Sequence, residues 1–169
     1  MKRVLLSIMA LTIAIVMCRA ERNVSTEEQY KNVLVEEFTG IHCGYCPYAH
    51  KIVADMLKAQ PEKVYAIAVH AGHYSIPNSD EPDFRTSEGA EINNYFGISG
   101  YPAGMVNRQR FDDMIVINRS SWATIASIES QEIAPVNLWM KSSYDESSRT
   151  LTVDVEGYYT ADTNADFNL

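Results

Sequence analysis

An α/β sandwich around one mixed sheet, followed by the opening of a β-sandwich, is the fold class this 169-residue sequence predicts. Three observations carry it. Residues 33–46 read Val-Leu-Val-Glu-Glu-Phe-Thr-Gly-Ile-His-Cys-Gly-Tyr-Cys, an apolar strand whose glycine turn delivers a C-x-x-C pair to the start of a helix. Over residues 32–134 the hydrophobic spacing then switches between strand and helix in the order β-α-β-α-β-β-α. After Ile133-Ala134-Pro135 the spacing becomes two, the period of a half-buried strand.

The chain opens on a targeting segment, residues 1–20. Lys2 and Arg3 form a positive region, Val4 to Met17 an apolar one, and Cys18-Arg19-Ala20 a cleavage site. Fourteen apolar-leaning residues fall short of the roughly 20 that span a bilayer. A second ending is open, in which Cys18 is lipidated as the first residue of a bacterial lipoprotein. Either ending removes Cys18 as a free thiol and leaves Cys43 and Cys46 as the pair. An exported chain with that pair fits a redox couple or a small structural disulfide. Loss of Lys2, Arg3 and Arg19, with no acid, moves the net charge from −8 to −11. So acidic a chain is repelled by nucleic acid and anionic lipid, and its charge reads as a solvated surface.

Residues 21–31 are polar and acidic, a tether or a first short helix. Asn32 to Phe38 is a buried central strand by its Val-Leu-Val run. The helix after it carries Ala49, Ile52, Val53, Met56 and Leu57 on one stripe, with Pro47 in its first turn and Pro61 beyond its end. Lys63 to His70 is a second strand, parallel to the first because a helix intervenes. His70 to Arg85 is a long loop rich in Gly, Pro, Asp, Asn and Ser, of the kind that often carries function. Ser87 to Phe96 is a short helix with Ile92, Tyr95 and Phe96 as its apolar side, stopped by Gly97. A Gly- and Pro-rich turn then feeds a short strand through Val106, and Met114 to Ile117 reads as a further strand. Ser120 or Ser121 caps a last helix with Trp122, Ile125 and Ile128 on its apolar side. From residue 135 onward, Val136, Leu138, Met140 and Tyr144 alternate with polar residues, as do Leu151, Val153, Val155 and Tyr159. This β-hairpin needs more strands or a partner to be stable. The residues up to Leu169 resemble the start of another strand, so residues 135–169 read as an incomplete β-sandwich domain.

A helix N-terminus carries free N–H groups and a partial positive charge, which stabilise a thiolate. The thiolate is the nucleophile of disulfide exchange. The strand, the C-x-x-C at a helix start, and the later Gly-Ile-Ser-Gly-Tyr-Pro segment together resemble the thioredoxin fold. More narrowly, residues 33–40, Cys43-x-x-Cys46-Pro47 and Gly100-Tyr101-Pro102-Ala103-Gly104-Met105-Val106-Asn107-Arg108 resemble the twenty-eight-kilodalton outer-membrane protein family of Bacteroidetes. That family is exported and joins a thioredoxin-like region to an immunoglobulin-like β region. The resemblance is good over residues 30–135 and loose over the hairpin.

The resemblance implies that Cys43 attacks and Cys46 resolves, Cys43 being exposed and Cys46 shielded. It places Glu37 where thioredoxins bury a carboxylate, which would relay the proton of Cys46 with its pKa raised by desolvation. Alternation puts Glu36 and Glu37 on opposite faces, so only one can do this; the alternative for Glu37 is an exposed strand end. Tyr101-Pro102 matches the cis-proline position, where the preceding backbone pairs with an extended peptide. His42 stands where thioredoxins carry tryptophan and, protonated, would favour the thiolate; otherwise it belongs to the turn surface. An inert disulfide is the competing reading of the pair. A further one is zinc, with Cys43, Cys46 and His50 joined by His70 or His73; the expectation adopted is no metal and no cofactor beyond the disulfide. Asn23-Val-Ser25 and Asn118-Arg-Ser120 match the glycosylation pattern by chance.

The expected function is a thiol–disulfide oxidoreductase of the cell envelope, in the periplasm or at the outer membrane. Its partners would be thiol- or disulfide-containing envelope proteins or peptides, with no nucleic acid and with the membrane met only through Cys18. The rival is a non-catalytic surface protein that uses the same fold as a scaffold and binds through its loop and β region.

Overall fold

The computed structural model describes residues 22–162. The targeting segment, Cys18 and residues 163–169 lie outside the described residues. The chain divides into two units, one of residues Gln29–Ile133 and one built from residues 22–28 and 134–162.

The first unit is organised by β1 (Val33–Thr39), with β2 (Val64–His70) parallel on one side and β3 (Ala103–Val106) antiparallel on the other. Helix α1 (Cys46–Ala59) joins β1 to β2, α2 (Ser87–Tyr95) precedes β3, and α3 (Arg119–Glu129) follows it. Period-two alternation along β1 sends Val33 and Val35 into a core with Ala49, Val53 and Met56 of α1 and Trp122, Ile125 and Ala126 of α3. Phe38 points the other way, with Met105, Ala71 and Ile98, and with Ile92 and Phe96 packed around them. Helices thus cover both faces of one sheet, which is the predicted sandwich.

The local chemistry departs from the sequence expectation in three places. Residues 114–117 form no strand. Phe111 and Met114 close a turn on Asp112 and Asp113, both at positive φ, and Ile117 alone reaches Gly104 in a reciprocal pair of hydrogen bonds. The cap of α3 is Asn118, whose side-chain oxygen accepts from the Ser120 N–H at 3.0 Å, rather than Ser120 or Ser121. Tyr95 and Ile128 are exposed, because the apolar faces of these short helices are narrower than the spacing suggests. Residues 22–31, read as a tether or a first short helix, form no helix.

In the second unit β4 (Val136–Asp145) and β5 (Thr150–Tyr159) form a ten-residue antiparallel hairpin. Asp145 accepts from the Ser147 and Ser148 N–H groups, and Arg149 takes a positive φ, which closes the turn. Residues 22–28 are bonded to this hairpin. Glu156 accepts from the Asn23 and Val24 N–H groups, and the Asn137 side chain donates to the Ser25 and Glu27 carbonyls. Met140 faces Val155 and Tyr144 faces Leu151, all exposed.

Candidate functional site

Beyond Thr39 the chain makes two successive turns. The Cys43 N–H donates to the Gly40 carbonyl at 3.0 Å, and the Cys46 N–H donates to the Cys43 carbonyl at 3.2 Å. Gly40 is required here, since a Cβ at this position would run into the Tyr74 carbonyl. The turns leave Cys43 just before α1 and Cys46 as its first residue, with Pro47 in the first turn where no N–H is missed. Their sulfurs are bonded to each other, with the Cα atoms 5.4 Å apart. Cys46 is 1% exposed and Cys43 6%. Cys43 is the more accessible of the two, yet both are buried in the disulfide form, so the expectation of an exposed Cys43 does not hold in this state. The flanking Tyr45 and Tyr48 are exposed instead, with the Arg119 guanidinium over the Tyr48 ring at 5.5 Å.

Both acids of β1 are buried, and each is handled differently. Glu36 is 2% exposed and takes the Arg108 guanidinium in a two-point contact at 2.6 and 2.7 Å, with Arg108 also over the Phe96 ring. Glu37, on the α1 face and 3% exposed, has no such cation. Burial pushes its pKa up to about 7. Its Oε1 lies 3.2 Å from His50 Nε2, but the geometry is not that of a hydrogen bond, and the oxygen is unpaired. The same His50 nitrogen is 3.1 Å from Thr39 Oγ1. His50 follows Cys46 by four residues, on the same face of α1. Glu37 therefore lies beneath the first turns of the disulfide-bearing helix.

His70 ends β2, with its ring 5.1 Å from that of Phe84 and its Nδ1 buried and unpaired. Burial, followed by the influence of His50, holds its pKa down. His42 is half-exposed; its N–H donates to the Tyr74 carbonyl, and its Nε2 is 3.0 Å from Glu81 in the loop. The Asn78 N–H, and then His42, keep Glu81 ionised below the usual carboxylate range. His42 thus meets a loop carboxylate.

The Tyr101-Pro102 bond is cis. Ala103 pairs with Phe38, so Pro102 lies off the same end of β1 from which the cysteine turn emerges. The Tyr101 hydroxyl donates to buried Asn93 at 2.6 Å, and burial raises its pKa. Gly72, at φ 68°, leaves room for that hydroxyl, because a Cβ there would overlap it. Among the described residues no three His, Cys, Asp or Glu side chains converge as a metal site. Among them, too, no helix is long and apolar enough to cross a membrane.

No family model and no curated protein matches the sequence. Solved structures do match. HBP35 of Porphyromonas gingivalis aligns over 79% of this chain with a TM-score of 0.56 and 19% identity. This chain spans 44% of that protein's length. A protein of Agrobacterium tumefaciens aligns over 76% of this chain and 58% of its own, with a TM-score of 0.48 and 17% identity. The fold is thioredoxin-like. It carries a C-x-x-C disulfide at the start of its first helix.

Sequence reasoning weighed His50 only as a metal ligand and passed over Thr39 and Arg108. The signal for His50 was available: a histidine one helical turn after Cys46, on a helix crossing the strand that holds Glu37. Arg108 had none, since its pairing with Glu36 requires the β1–β3 register.

Proposed function

We propose that the protein is an exported thiol–disulfide oxidoreductase of the cell envelope, related to the twenty-eight-kilodalton outer-membrane protein family, with Cys43 as nucleophile and Cys46 as resolver. The observation that carries this reading is a buried carboxylate, Glu37, poised near pH 7 beneath a helix-start disulfide. Starting from the dithiol, the Cys43 thiolate attacks a substrate disulfide; a mixed disulfide forms and one substrate thiolate leaves. Cys46 then gives its proton to Glu37 and attacks Cys43. The Cys43–Cys46 bond forms, the mixed disulfide breaks, and the second substrate thiolate leaves and takes a proton from water. The substrate is reduced by two electrons and the pair oxidised by two; the reverse sequence oxidises a dithiol. A group that titrates near the working pH suits this transfer. The fold's likeness to a Porphyromonas protein supports the reading. So does the N-terminal targeting pattern of the sequence, with Cys18 a candidate lipid anchor.

Incubating the reduced protein with peptide disulfides tests the proposal. Cys43→Ser should abolish exchange, and Cys46→Ser should accumulate a mixed disulfide on Cys43, both read by mass spectrometry. Wild-type levels of exchange in Cys43→Ser, with nothing trapped by Cys46→Ser, would refute it. A second reading, a surface binding protein with an inert disulfide, is favoured by the burial of Cys43 and by the open apolar side of the hairpin. A reduction potential below about −300 mV would support that one.

A further inference from the structure

The relay through Glu37 leaves a physical problem. A carboxyl that is 3% exposed, beneath a helix, can accept the Cys46 proton in successive turnovers only if it passes each proton on. We infer that His50 is the positioning residue through which Glu37 exchanges its proton with solvent, an inference that rests on the oxidoreductase reading above.

Three observations carry it. His50 joins the two environments: its Nε2 lies 3.2 Å from the buried Glu37 oxygen, while its side chain is 49% exposed. The contacted Oε1 is unpaired, so no other group in the described residues holds the proton there. Thr39 Oγ1, 3.1 Å from the same nitrogen, gives the imidazole a second partner on β1. A small rotation exchanges one oxygen for the other, so the ring can take a proton at Nε2 and release one to water from its exposed side. The groups around the ring favour this traffic. β1 presents Glu37 and Thr39, and the end of β2 presents His70, whose pKa is lowered by burial. The nearby cation of α3, Arg119, lies over Tyr48 instead. On α1 itself Lys51 is paired with Asp55. An imidazole is the side chain whose ordinary pKa suits such a shuttle.

The steps balance. Cys46 loses its proton to the Glu37 carboxylate as its sulfur bonds to Cys43. Glu37 hands a proton to His50 Nε2, and the imidazolium loses one to water. Both groups return to their starting state, and no external oxidant or reductant enters beyond the substrate disulfide.

The test follows decay of the mixed disulfide between the reduced full-length protein and glutathione disulfide, by acid quench, alkylation and mass readout from pH 5 to 9. In His50→Gln, resolution at neutral pH should slow about tenfold, less than the roughly 10²–10⁴ that a positioned acid–base group contributes, because some water still reaches Glu37. Added imidazole should restore the rate. Glu37→Gln should be slower still, and the double variant no slower than Glu37→Gln, because residues acting in series are not additive. A His50→Gln profile that overlays wild type, or losses that multiply in the double variant, overturns the inference while leaving the oxidoreductase reading intact. A wild-type protein that forms no mixed disulfide overturns both.

Discussion

Glu37→Gln removes a carboxyl group whose ionisation opposes folding at neutral pH. In the unfolded chain this group titrates near its ordinary value of 4.5; in the folded protein burial raises that to about 7. Below pH 4.5 the carboxyl is protonated in both states, and its titration contributes nothing. Between the two values the folded state holds a proton that the unfolded state has lost, so stability falls as pH rises. Above pH 7 both states are ionised and the full penalty is present. A shift from 4.5 to about 7, at 1.36 kcal/mol per unit, makes that penalty about 3 kcal/mol. Glutamine has nearly the same shape and no charge to desolvate, so the variant escapes this pH-dependent loss.

Urea unfolding of the disulfide-bonded protein measures the effect. Trp122 is fully buried in the unit that contains Glu37, and a Trp139→Phe background leaves it as the reporter. The stability of wild type relative to Glu37→Gln should fall by about 3 kcal/mol between pH 4.5 and 7 and stay level above that. At an m-value near 1.5 kcal/mol/M, this is a relative midpoint shift of about 2 M urea. Any fixed cost of the amide, and the titration of every other carboxylate, cancel in the pH dependence of the difference. A difference that stays constant with pH would refute the reasoning. One that grows in favour of wild type at high pH would mean that Glu37 is stabilised as a carboxylate.

The sheet, the three helices and the hairpin were legible because each is carried by a local period: the Val-Leu-Val run of β1, the stripe Ala49–Val53–Met56 of α1, the alternation of β4. The cysteine pair was legible for the same reason, since C-x-x-C is a local spacing. What sequence alone missed depends on register. Alternation correctly separates Glu36 from Glu37, but it cannot show that Glu36 is also buried. That requires Met105 to face Glu36 across β3, which brings Arg108 back over the sheet. The turn that carries Cys43 likewise leans on the distant Tyr74 segment, whose carbonyl receives the His42 N–H. The expected strand at 114–117 failed because the positive-φ pair Asp112 and Asp113 uses the pairing groups of Phe111 and Met114 in a local turn.

Two further predictions concern the sheet. Gly104→Ala would place a Cβ 2.6 Å from the Trp122 ring and 2.9 Å from the Glu36 carbonyl, so overpacking should cost about 1–3 kcal/mol in urea unfolding. A variant as stable as wild type would mean that Trp122 has room to move. The second concerns the Glu36–Arg108 contact. Arg108→Ala leaves a carboxyl that is 2% exposed without its two-point partner. Breaking a fully buried pair typically costs about 3–5 kcal/mol, but the Arg108 side chain is 49% exposed and water can partly replace it, so about 2 kcal/mol is expected here. Most of that cost belongs to the stranded acid rather than to the lost attraction. Adding Glu36→Leu to Arg108→Ala should therefore recover most of the stability, since a shape-filling apolar residue needs no partner. If the double variant is instead less stable than Arg108→Ala alone, the pair itself, and not the desolvated carboxylate, is what holds β3 against β1.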